Sequence, residues 1–96
     1  MSIALPASLT LAQATGVLNE LRQAVRRAPR EGVVIDAGAL EQLDSSCIAV
    51  LLQCRRDALA RAVPMSVRNP PAKLAALLKL YGVDSLFGAP APTPGV

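Results

Sequence analysis

The 96 residues suffice for one domain with a single core, and 52% of them are apolar, which excludes disorder over most of the length. No segment approaches the roughly 20 consecutive apolar residues of a membrane span. Tyr81 and Phe87 are the only aromatics, a poor basis for the stacking platforms of single-strand nucleic-acid binding.

The net charge of +3 comes from ten Lys and Arg against seven Asp and Glu. The opening Met1-Ser2-Ile3-Ala4-Leu5-Pro6 lacks the basic and apolar regions of a signal peptide, so the expected location is cytoplasmic. Histidine is absent, and two cysteines alone do not make a metal site. No cofactor is expected.

Ser2 to Leu5 is a short strand candidate stopped by Pro6. Thr10-Leu11-Ala12-Gln13 fits a capping box with Leu9 as the preceding staple. Ala14, Val17, Leu18, Leu21, Ala24, Val25 and Ala28 then recur at spacings of three and four, predicting a half-exposed helix ended by Pro29. Arg22, Arg26, Arg27 and Arg30 gather at its end. They read either as charges that offset the helix dipole or as a nucleic-acid or lipid-headgroup surface. Val33-Val34-Ile35-Asp36 is a β-branched run without alternation, the pattern of a central parallel strand covered on both sides.

A second helix should run from about Ser45 to Ala62, started by Asp44 or Ser45 as the cap. From Cys47 to Cys54 only Gln53 is polar. Ile48, Leu51, Leu52, the stem of Arg55, Ala58 and Leu59 are its expected inward stripe. The line Ser46-Val50-Gln53-Asp57 has the mixed character of a protein-binding face, though a helix simply buried by its own domain would also account for the pattern. On the first reading, Val50→Lys should leave the fold intact and break a complex. Cys47 and Cys54 lie about 10 Å apart on one helix, too far for a disulfide, and read as small core residues.

Pro64 to Arg68 is a third strand. Asn69-Pro70-Pro71 should cap a third helix carrying Leu74, Leu77, Leu78 and Tyr81, with Gly82 as its C-cap. Val83 to Phe87 should close against the core. The order βαβαβα predicts an α/β domain over residues 1–87 with a small, mostly parallel sheet, followed by a disordered proline-rich tail over residues 88–96.

Catalysis has little support, since there is no histidine, glycine-rich phosphate loop or Gly-x-Ser-x-Gly elbow. Asp36 and Asp44 read as a carboxylate pair at the ligand side of a parallel sheet, or separately as turn and cap. Ser45 and Ser46 read as caps, as partner contacts, or as a phosphorylation site at a helix N-terminus.

Val33-Val34-Ile35-Asp36, a short loop, then Leu43-Asp44-Ser45-Ser46-x-Ile48-Ala49-Val50-Leu51-Leu52 resembles a STAS domain, the fold of anti-sigma factor antagonists. With Val67-x-x-x-Pro71, Leu74-x-x-Leu77 and Leu80-Tyr81-Gly82-Val83, the likeness is greatest to the small STAS subunit of Mla phospholipid-transporting ABC complexes. It covers roughly Ser2 to Phe87.

The resemblance implies a non-enzymatic subunit that binds and supports the ATPase, meets the membrane only through its complex and binds no nucleic acid. Asp44, Ser45, Ser46, Ala49, Val50 and Gln53 are the expected partner-binding residues. In the antagonist branch, Ser46 would be phosphorylated by an anti-sigma factor kinase. Cys47 where those proteins carry glycine, and Pro6 to Thr10 where they carry an acidic turn, depart from that branch and leave the transporter reading intact.

Overall fold

The computed structural model describes residues 1–87, and the expected tail lies outside them. In chain order the elements are β1 (Ser2–Ala4), β2 (Ser8–Leu9), α1 (Leu11–Arg26), β3 (Val33–Asp36), β4 (Gln42–Leu43), α2 (Ser45–Ala60), β5 (Met65–Arg68) and α3 (Ala72–Leu80). A 3-10 turn over Asp84–Phe87 follows. Strands β1, β3 and β5 form a parallel sheet in that order, with Ile3 opposite Ile35 and Ile35 opposite Val67. A second parallel ladder, β2 against β4, pairs Ser8 with Gln42 and Leu9 with Leu43. The expected α/β architecture is present, with this two-residue ladder as an addition to it.

The pleat decides which residues reach the core. Val33, Ile35 and Val67 point to one face and are buried there with Leu21, Val25, Leu51, Cys54, Leu74 and Leu78 from the helices. The alternate residues Ser2, Ala4, Val34, Asp36, Ser66 and Arg68 occupy the other face, and none of them is buried. Two-sided coverage of β3 is therefore corrected. Val34 is half-buried on a face that carries no buried residue, so the run of β-branched residues reflects strand propensity as much as burial.

Each crossover is shaped by local chemistry. Gln13 Oε1 accepts from the Thr10 amide at 2.9 Å and the Thr10 hydroxyl at 2.8 Å, tightening the first turn of α1. Gly32 has φ +119°, and a Cβ there would lie 2.8 Å from the Pro64 carbonyl oxygen, which already accepts from Val33 N–H at 2.8 Å. Any side chain at this position would push β3 away from its neighbour. Asn69 does not cap α3, because the N-cap is Pro71. Asn69 instead adopts a left-handed φ of 55° and directs its amide to Asp36 Oδ1 at 3.4 Å. Phe87 is fully buried, so the closing segment packs on the core as expected.

Helix α2 is rotated relative to the expected inward stripe. Cys47, Ile48, Val50, Leu51, Cys54 and Ala58 are buried, whereas Leu52 is half-buried and Leu59 is 58% exposed. Both thiols are core groups, as expected. Burial pushes Cys47 up to about 11 and Cys54 up to about 12, with Asp44 and Asp57 respectively adding to the effect. They stay protonated and unreactive at neutral pH.

Candidate partner-docking site

Helices α1 and α2 pack against each other and begin side by side, tied there by one side chain. Asp44 is the N-cap of α2, and its Oδ1 accepts from Ser46 N–H at 2.8 Å. Its Oδ2 accepts from Leu11 N–H, the first residue of α1, at 3.2 Å. A single carboxylate thus satisfies an orphan donor at each of two helix starts and faces both positive dipole ends. The Ser46 amide is the main cause of a lowered Asp44 pKa; desolvation opposes it, and the Leu11 amide, the Ser46 hydroxyl and the nearby charge of Lys73 act with it.

The sign of the pH dependence follows. The folded-state pKa lies below the ordinary 3.8, so the stabilisation is complete above that value and is lost as pH falls through the folded pKa. Asp44→Ala should therefore lower the melting temperature at pH 7, and the gap from wild type should shrink as the pH is taken down from 3.8 through the lowered folded-state pKa. Thermal melts across that range check this; a gap that stayed constant would mean the carboxylate charge is not what holds the two starts together.

Asp36 has a separate occupation. Its Oδ1 accepts from Gly38 N–H at 2.9 Å, the chief reason its pKa is lowered, with Asn69 and the more distant Arg68 assisting. Each acid is engaged with its own loop, one shaping the turn after β3 and the other capping. That is the arrangement of two structural carboxylates.

Around Asp44 the expected contact residues separate into two groups. Ser45 and Ala49 are exposed, one helical turn apart on the solvent side of α2. Arg56 and Ala60 continue that side and are also exposed. Ser46, Val50, Gln53 and Asp57 line the seam with α1 instead. Val50 is 3% exposed, while Ser46 and Gln53 are half-buried. Gln53 Nε2 donates to Asp57 Oδ1 at 3.2 Å, and Arg22 Nε from α1 donates to Asp57 Oδ2 at 2.7 Å.

Placing Val50 on a free face is therefore a correction. The mixed polarity of that line belongs to a helix–helix seam closed by an ion pair, and Val50 lies beneath it, out of a partner's reach. Leu11 is the residue that sequence reasoning passed over. It is 76% exposed and its amide is bound to Asp44, which sets it beside Ser45. Spacing gave no signal for it, since Leu11 stands three residues before Ala14 and seven before Leu18, at the edge of the same apolar stripe.

The site is thus a rigidly capped pair of helix starts presenting Leu11, Ser45 and Ala49. Among the described residues no group of three or more acidic, cysteine or histidine side chains is placed to hold a metal ion, and no helix is long and apolar enough to cross a membrane. The family model described as "Mlab, STAS domain" matches residues 1–88. The chain belongs to this STAS family. STAS domains are generally non-enzymatic, and the matched region contains the whole described fold. A search of curated proteins found no match.

Proposed function

We propose that this STAS domain is the non-enzymatic subunit of an Mla-type phospholipid ABC transporter that binds and supports the cytoplasmic ATPase. The observation that carries the reading is the exposed row Ser45–Ala49 beside Leu11, held on two helix starts by Asp44. A surface whose backbone is already locked loses little freedom on docking. Small side chains let a partner helix or loop approach closely, and Leu11 supplies an apolar anchor. Asp44 takes part as the organiser of the surface and Ser46 through its half-buried hydroxyl at the rim. Gln53 acts from the seam, by fixing Asp57.

In this role the domain is cytoplasmic, meets the inner membrane through its complex and requires no cofactor. The alternative, an anti-sigma factor antagonist switched by a kinase at Ser46, is less well served by the same geometry. The Ser46 amide is engaged by the Asp44 carboxylate, so a phosphate on that hydroxyl would compete with a like charge for the helix-start donor.

Affinity capture of the full chain from native membranes tests the proposal, with mass spectrometry of both partner and bait. Recovery of an ABC ATPase with unmodified Ser46 is the expected result. Recovery of a kinase with phosphorylated Ser46 would establish the switch instead.

A further inference from the structure

Helices α1 and α2 also end side by side. Arg61 Nη1, from the C-cap of α2, donates to the Val25 carbonyl near the end of α1 at 2.8 Å. Around this junction Arg22, Arg26 and Arg61 line one open cleft, and Arg22 and Arg26 line its neighbour. Arg27 is the C-cap of α1, and Arg30 lies in the turn that leads through Gly32 into β3. This end of the domain is the one remote from Asp44.

Counting charges decides whether the helix ends alone explain the cluster. Arg22 is engaged by Asp57, whereas Arg26, Arg27, Arg30 and Arg61 have no carboxylate within 4.0 Å among the described residues. Two helix C-termini carry about −0.5 each, roughly one negative charge together. Glu31, exposed in the same turn, supplies one more. Four unpaired arginines exceed these by about two positive charges, so dipole compensation leaves the patch with an unmet surplus.

The surroundings narrow the partner. Protein interfaces are centred on contiguous apolar area, and here Val25 and Ala28 are buried. Of the large apolar side chains exposed among the described residues, Met1, whose amine bonds the Gly32 carbonyl, and Leu59, on the side of α2 turned away from α1, adjoin the arginines, while Leu80 and Tyr81 stand at the end of α3. No aromatic stands among the arginines to stack on bases. A spread of guanidinium groups with isolated apolar side chains matches a layer of phosphate headgroups.

We propose that the arginine end of this domain is a contact surface for an anionic lipid bilayer. This adds a direct contact to the indirect association of a transporter subunit, and it uses the face opposite the partner-docking site.

Flotation of the purified full chain with vesicles tests it. The chain should float with phosphatidylcholine vesicles containing about one-third phosphatidylglycerol, stay unbound with pure phosphatidylcholine, and be released as salt rises toward about 0.5 M. Arg26→Gln with Arg30→Gln should weaken binding about 25-fold, at about fivefold per arginine, while the melting temperature falls by only a few degrees, since both side chains are exposed and Arg26 has only the helix end to offset. Arg68→Gln with Lys73→Gln removes the same charge near the Asp44 end and should leave vesicle binding unchanged. The proposal is overturned by absent or lipid-independent flotation, by equal losses from the two double variants, or by tighter binding to duplex DNA or polyglutamate than to the anionic vesicles.

Discussion

Val50→Lys is expected to unfold the domain. Val50 sits in the α1–α2 seam, 3% exposed, between Ser46 and Gln53 on the same line of α2. The substitution forfeits the burial of an apolar side chain, about 1.5–3 kcal/mol. It also buries an ammonium group, and the acid two turns along the same line, Asp57, is already engaged by Arg22 and Gln53. An uncompensated buried charge costs several kcal/mol more.

A domain of this size has roughly 4–13 kcal/mol of stability in total, at about 0.05–0.15 kcal/mol per residue. Most of it would be consumed. Val50→Ala gives the milder reference, a loss of about 2 kcal/mol with the fold retained. Urea titration by circular dichroism separates the outcomes; a Lys variant with a wild-type midpoint would show that the seam is not packed as described here.

Ala49→Arg should do the reverse: leave the fold in place and remove the partner. Ala49 is exposed on α2, and arginine is nearly as good a helix former as alanine, so the direct cost is a few tenths of a kcal/mol. At an interface that approaches Ser45 and Ala49 closely, the guanidinium and its stem have no room. Losses at the centre of an interface run to about 2–4 kcal/mol, a factor of roughly 30 to 1,000 in affinity.

Titration of wild-type and variant domain against the proposed ATPase partner, alongside thermal melts, reads both quantities. Leu11→Ser should weaken binding in the same direction while trimming only exposed surface. If Ala49→Arg bound as tightly as wild type, the docking face would have to be moved off the solvent side of α2.

The adjacent positions 49 and 50 carry opposite predictions, and the sequence shows why they were hard to tell apart. Periodicity works on α1 because its apolar residues form one stripe against a polar remainder. On α2 the residues from Cys47 to Cys54 are apolar nearly all round, so the spacing is consistent with several orientations. The orientation adopted buries Val50 and brings Asp57 to Arg22, 35 residues away in the chain, a pairing that no local pattern contains.

The same reasoning separates the other successes from the misses. The strands β1, β3 and β5, the three helices and the closing Phe87 were legible because each has its own composition and punctuation. The β2–β4 ladder is two residues long, too short to leave a pattern. The second role of Asp44 is a contact across 33 residues, visible only once α1 and α2 are side by side. Cap residues can be read from sequence, but which of two adjacent candidates holds the carboxylate's partners depends on the turn, and here it is Asp44 alone.

The sheet order β1-β3-β5 leaves two rims, and both are short, with three residues in β1 and four in β5. A partner that bound by adding a strand would gain only a few backbone hydrogen bonds along either rim, too few for the extended pairing on which strand addition relies. Short rims also give stray chains little template on which to stack. Under the proposed function, recognition of this domain would fall to its helices, and specificity would be a matter of which side chains line their outer surface.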